Sequence, residues 1–319
     1  MLDEKLNFNE HISIKLSQAR KLVGSLRKLY YLIPRKSLMT IYKSFIRPHL
    51  DYCDLIYDKP SNESFCNKIE SIQYSAMLAI TGCIKGTSKD RLYREVGLES
   101  LKQRRWYRRL TAFYQIITTK SPFYLFSIIP KPTVHMQTRS SVNIPPLNSR
   151  SEQFKNSFFP NVVKEWNALN IHIRNSTSLS TFKKNLIKLI RPAPNRIYNV
   201  HDPVGLKFLT RLRLSFSHLR EHKFKYNFQD TLNPLCDCSL NVESTEHFFL
   251  CCLNFNQQRQ ILLNSLNNLG INIVTYHNKD LVNLLLYGNS NFDDMKNHRV
   301  LLATISFLTS SNRFDLNLL

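Results

Sequence analysis

The chain has 319 residues, room for two domains of ordinary size, and 43% of them are hydrophobic, enough to bury a core and to exclude a disordered polyelectrolyte. Lysine and arginine number 44 against 23 acidic residues, and the net charge of +21 points to a polyanionic partner. No apolar run is long enough to cross a bilayer and the opening MLDEKLNFNE lacks the charged-then-apolar order of a secretory signal. Seven cysteines, four of them clustered, fit a reducing compartment, so an intracellular protein with no membrane partner is expected.

The first predicted element is a helix over 11–32. Ile14, Leu16, Ala19, Leu22, Val23, Leu26, Leu29 and Tyr30 recur at spacings of three and four, and Pro34 ends it. A second helix begins near Arg35 and is kinked or interrupted at Pro48. A third spans about 62–84, with Ile69, Ile72, Met77, Leu78 and Ile80 inward, and short helical pieces follow Thr87. The next segment, LESLKQRRWYRRLTAFYQIITTK, aligns Trp106, Leu110, Phe113 and Ile117 in one stripe at 100° per residue. Arg104 and Arg108 fall on the opposite side, and Arg105 and Arg109 flank the stripe. This makes a guanidinium comb whose spacing suits phosphates, unless it is a solvated arginine face. Residues 101–200 hold 17 lysines and arginines against only Glu152 and Glu165, a net +15 of the +21.

Residues 121–160 contain six prolines and short β-branched runs such as TVHMQ and SSVNIPPL. They read as an extended connector with two short strands and as the domain boundary. FFPNVVKEWNALN and LSTFKKNLIKLI then read as helices, the second capped by Ser180 and exposing Lys183, Lys184 and Lys188. In GLKFLTRLRLSFSHLREHKFKYNF helix is favoured, although LTRLRLSF alternates as a strand would. Helices over about 257–269, 280–286 and 294–309 close the chain.

Before them stands NPLCDCSLNVESTEHFFLCC, too short to bury a core of its own. Cys236, Cys238, His247 and Cys252 place four soft or borderline ligands in seventeen residues, the donor set of a structural zinc site. Cys251 is a rival ligand: it lies four residues from His247 on one helical face, whereas Cys252 requires the chain to turn between them. The alternative is a group of ordinary buried thiols.

Other chemistry is missing from the pattern. The seven glycines form no phosphate-cradling loop, and there is no GxSxG elbow or HExxH helix. Asp293 and Asp294 form an adjacent acidic pair of the kind that holds catalytic metals, but they open a predicted helix, where carboxylates favour the positive dipole end.

The segments LDEKLNFNEHI, LIPRKSLMTIYKSFIRPHLDY, KIESIQYSAMLAITGCIKGTS, RLYREVGLESLKQRRWYRRL, NSFFPNVVKEWNAL and CDC…STEHFFLCCLNF occur in this order. Together they resemble the part downstream of the palm in reverse transcriptases of non-LTR (LINE-type, jockey-like) retrotransposons. The resemblance implies Cys236, Cys238, His247 and Cys252 as ligands of a structural Zn2+, followed by Phe255 and Arg259. Two departures stand out: Cys53, where relatives often carry glycine, and the extra Cys251. The resemblance also places the catalytic aspartates, which bind Mg2+ in the complete polymerase, in a palm that would precede the equivalent of Leu2. The residues quoted contain no substitute for them, and no independent catalysis is expected of this chain.

The fold class expected on this basis is mainly α. A helical thumb-like bundle would cover 1–128 and a Pro-rich connector with short strands 129–160. A basic C-terminal helical region over 161–319 would carry a Cys3His zinc module at 234–256. The implied partners are RNA, DNA or both, with the rest of the polymerase, in a nuclear or cytoplasmic ribonucleoprotein. Arg104, Arg105, Arg108, Arg109, Lys183, Lys184 and Lys188 would contact phosphates. The competing readings are a domesticated zinc-binding module whose partner is another protein, and a degenerate element with no selected role.

Overall fold

A computed structural model describes residues 8–131, 143–191, 200 and 202–314. These residues are mainly helical. Among them there is no strand, only an isolated antiparallel bridge between Leu235 and Val242. The early helices are α1 (Asn9–Lys28), α2 (Arg35–Ile41), α3 (Arg47–Asp51), α4 (Asp54–Tyr57), α5 (Glu63–Thr81), α6 (Lys89–Val96) and α7 (Leu101–Thr119). After α8 (Phe123–Phe126) and α9 (Glu152–Lys155) come α10 (Phe158–Asn167), α11 (Ile171–Arg174) and α12 (Leu179–Ile190). The rest of the chain forms α13 (Pro203–Arg213), α14 (Arg220–Lys225), α15 (Asn256–Asn268), α16 (Asn278–Tyr287) and α17 (Asp294–Ser310).

The chain divides into two compact units. One comprises Met1–Gly24, Ile41–Ser75 and Gly97–Ala193; the other Ser25–Thr40, Ala76–Val96 and Pro194–Leu319. This differs from the sequential division expected at 129–160, and packing gives the reason. Phe113 and Tyr114 of α7 meet Trp166 of α10 and Phe182 of α12. The Tyr114 and Phe182 rings stack at 4.3 Å, and the Phe113 and Trp166 rings meet edge-on at 5.4 Å. The helices after the proline-rich stretch thus complete the core that α7 begins. Residues 143–160 form helical turns and coil without strand, while TVHMQ lies outside the described residues.

Local rules account for most of the elements. The predicted interruption at Pro48 takes the form of a widened π turn over Tyr42–Ile46, closed by the Arg47 N–H on the Tyr42 carbonyl. A proline inside a helix removes a donor and crowds the carbonyl four residues back, and local widening relieves that crowding. Ser100 and Gln103 form a reciprocal capping box at the start of α7. The cap of α12 is Ser178, whose side chain accepts from the Thr181 N–H, and not Ser180, which lies one residue inside the helix. Ser178 has the extended backbone that a cap needs (φ −145°, ψ 156°). LTRLRLSF is helical through Arg213, because Asp202 caps α13 and Pro203 occupies its first turn. On α1, Ile14 faces solvent and Ile12 takes the buried position.

In the second unit, α13, α15, α16 and α17 surround one apolar core that includes Leu209, Leu262, Leu285, Val300 and Phe307. Gly205 permits the close approach of α13 to α17: a Cβ there would lie 2.3 Å from Ile305 Cγ2. The cysteine-rich segment joins this core through Phe248, whose ring lies 5.2 Å from Phe307 and 5.4 Å from Phe314.

Candidate metal centre

Two short pieces of backbone bring the four donors together. The first is a tight hairpin, in which the Leu235–Val242 bridge is supported by the Cys236 N–H on the Asn241 carbonyl at 2.9 Å. Inside it the Ser239 N–H bonds the Cys236 carbonyl at 2.8 Å, with Ser239 in the left-handed region (φ 61°). The second is a π turn over His247–Cys251. The Cys252 N–H closes it on the His247 carbonyl at 2.8 Å, and Cys252 then turns to extended backbone (φ −61°, ψ 126°). This wide turn supplies the bend that the sequence spacing required.

Cys236 Sγ and Cys252 Sγ are 3.5 Å apart, Cys238 Sγ lies 3.2 Å from His247 Nε2, and all four ligand atoms fall within 4.8 Å of one another. A tetrahedral zinc with ordinary bond lengths requires edges of about 3.8 Å between sulfurs and about 3.5 Å from sulfur to nitrogen. The donor set therefore fits a metal ion. Cys251 is exposed and is not part of the cluster, whereas Cys236 and Cys252 are buried.

The electrostatics suit a cation as well. Burial pushes the Cys236 thiol up to about 12 and also raises Cys252. The Leu240 backbone N–H holds Cys238 below its usual range, and burial lowers His247. Left to themselves, two of the three thiols resist ionisation. A bound divalent cation reverses that preference by stabilising the thiolates.

The ligand loops are held from outside by residues that sequence reasoning passed over or named without a role. Arg259, buried on α15, donates from Nε to the Phe249 carbonyl at 2.9 Å and from its second arm to the Cys252 carbonyl. Glu243, 1% exposed, accepts a forked ion pair from Arg313 and the Arg220 backbone N–H at 2.7 Å. A carboxylate inside a cysteine-rich loop was the available signal for Glu243. Nothing in the spacing pointed to Arg313, some seventy residues away.

The expected nucleic-acid contacts divide into two groups. Arg104 reaches Asp51 and Glu99, Arg105 reaches Asp58 and the Leu50 carbonyl, and Arg109 bridges Asp58 and Glu165. Arg108 Nε lies 2.8 Å from Asp54 Oδ2 in an ion pair without hydrogen-bond alignment, and burial pushes the Asp54 carboxyl up. Arg105 and Arg109 are only 4% and 3% exposed, so they offer no phosphate-facing surface. The comb is paired with Asp51, Asp54, Asp58 and Glu99, all outside the acid-poor 101–200 window, and with Glu165 inside it. Lys184 and Lys188, by contrast, are exposed on α12, and Lys183 is half-buried. Asp293 caps α17, accepting the Lys296 N–H at 2.6 Å, as the helix-opening reading expects.

No described helix is long and apolar enough to cross a membrane. No protein-family model, curated protein or solved structure matches the chain.

Proposed function

We propose that the chain is a nucleic-acid-binding part of a retrotransposon reverse transcriptase, acting downstream of the catalytic palm, with Cys236, Cys238, His247 and Cys252 holding one structural zinc. The observation that carries this reading is the convergence of those four donors within 4.8 Å in a chain of net charge +21. A zinc there would supply cohesion to a segment with little core of its own, on the order of 10–16 kcal/mol by comparison with zinc-finger peptides. The protein's residues supply the rest. Arg259 fixes the carbonyls of the ligand turn, Glu243 ties the hairpin to Arg220 and Arg313, and Phe248 anchors the module in its unit's core.

A second detail supports the family reading. Cys53, which stands where the resembling proteins often carry glycine, has φ 57° and ψ 21°, a left-handed conformation that glycine adopts without strain. The chain's role in this reading is to grip primer–template or element RNA through backbone contacts that give affinity with little sequence choice.

The test combines metal analysis of protein purified without chelator with binding to an RNA–DNA hybrid at several salt concentrations. One zinc per chain and affinity that falls steeply with salt are expected. A protein-interaction module is the other reading, favoured by Leu232, Leu240 and Leu253, which are exposed around the cysteine-rich loops. Zinc without salt-dependent nucleic-acid binding would select it.

A further inference from the structure

With the arginines of α7 committed to carboxylates, the positive charge still open to a ligand lies elsewhere on the same unit. On α12 and its C-terminal cap, Lys184, Lys188 and Arg191 follow at intervals of four and three, so they share one face. That face is opposite Phe182 and Leu186, which are fully buried. Arg191 holds its helical register because its N–H bonds the Ile187 carbonyl at 2.9 Å.

The stripe does not stop at the end of the helix. Arg191 Nε lies 3.5 Å from Glu99, which also binds Arg104 at 3.1 Å; Arg104 in turn binds Asp51, and Arg47 lies 3.9 Å from that same aspartate. Two largely buried carboxylates thus serve Arg47, Arg104 and Arg191, and exposed Lys43 on the Tyr42–Ile46 turn joins the group with no ion pair of its own among the described residues. Partial burial of its side chain first, then Arg47 and Arg191, hold the Lys43 ammonium below its usual range against the pull of Glu99.

We propose that Lys184, Lys188, Arg191 and Lys43 form a single track that binds consecutive phosphates of a nucleic-acid duplex; the proposal rests on the nucleic-acid reading above and locates its site. The seven steps from Lys184 to Arg191, at the helical rise, span about 10 Å. Over that length one strand of a duplex carries about three phosphates. The helix dipole alone is the competing account for Lys188 and Arg191, which sit where a helix's negative end favours cations. It does not account for Lys184 in the middle of α12 or for Lys43 on a different element.

The experiment compares two triple variants of equal charge on the full chain: Lys43→Ala/Lys184→Ala/Lys188→Ala, and Lys21→Ala/Lys225→Ala/Lys279→Ala at exposed positions elsewhere. Both are titrated with a 25-base-pair DNA duplex and an RNA–DNA hybrid across a salt series, after matching their thermal unfolding to the parent. The track variant is expected to flatten the log–log slope by up to about 2.7 at roughly 0.9 per phosphate, and the control by much less. Equal losses in the two variants overturn the track and leave general nucleic-acid binding intact. No salt-dependent binding by the parent overturns both. Protection of Lys184 and Lys188 from acetylation by bound duplex is expected independently, and their full reactivity in the complex also overturns the track.

Discussion

Arg109→Ala separates a structural guanidinium from a phosphate-binding one. Arg109 is buried between Asp58 and Glu165, whose side chains are 6% and 19% exposed. Removing one member of a buried ion pair typically costs 3–5 kcal/mol, because the partner keeps its charge without compensation. Here Asp58 retains Arg105 at 2.8 Å, so Glu165 alone is orphaned and the lower end applies, about 3 kcal/mol. For a unit of this size that corresponds to a fall in midpoint of roughly 6–12 °C.

Both tryptophans, Trp106 and Trp166, lie in the same unit as Arg109, so their fluorescence reports its unfolding without interference from the metal module. Arg109→Met combined with Glu165→Met should recover most of the loss, since it removes the orphaned charge together with its partner. Lys188→Ala, on an exposed face, should stay within about 0.5 kcal/mol of the parent. A loss below about 1 kcal/mol for Arg109→Ala, with a flatter salt dependence of nucleic-acid binding, would restore the phosphate role and refute the buried-pair argument.

Three further outcomes are expected. Cys252→Ser should lose stoichiometric zinc and expose residues 234–256 to rapid hydrogen exchange, while Cys251→Ser should keep both; metal analysis of the two variants decides, and equal retention would reject the ligand assignment. Cys53→Gly should stabilise its unit by up to about 1 kcal/mol in urea unfolding, because the left-handed conformation costs a side-chain-bearing residue roughly 1–2 kcal/mol and part of that gain is lost to glycine's freedom when unfolded. His222 is buried, its Nδ1 lies 2.8 Å from Ser217 Oγ, and burial lowers it from 6.5 to about 4. Between those values the unfolded chain binds the proton that the folded chain refuses, so stability is present above pH 6.5 and is lost as pH falls towards 4. The loss amounts to ~3 kcal/mol, and a His222→Asn variant that retained the parent's full acid sensitivity would refute the assignment.

Helix positions were legible because apolar spacing and breakers act locally. The predicted close of the chain at 257–269, 280–286 and 294–309 lies within two residues of α15, α16 and α17 at each end. The metal donors were legible for a similar reason: the ligands are few, chemically distinctive and near in sequence. The choice between Cys251 and Cys252 turned on a π turn, a backbone event that leaves no compositional mark. The interleaved units were not legible, because nothing in the proline-rich stretch announces that Phe182 will stack on Tyr114 across 68 positions.

The internal pairing of the arginine comb has a specific physical origin. A charge count over a window of sequence assumes that cations are neutralised by nearby acids, yet Asp51, Asp54 and Asp58 reach α7 from about fifty positions away. Residue type adds to the confusion. The planar fork that suits guanidinium to phosphate suits it equally to buried carboxylates and backbone carbonyls, and Arg105, Arg109, Arg213, Arg259 and Arg313 all serve the latter kind of partner here. Lysine is the more strongly hydrated cation and resists such burial, so the charge that stays in solvent is carried largely by lysines such as Lys43, Lys184 and Lys188. In a basic helical chain of this kind, clustered arginines on an amphipathic helix are better read first as candidates for internal ion pairs. The search for the polyanion site then begins with lysines that repeat on the face opposite the core.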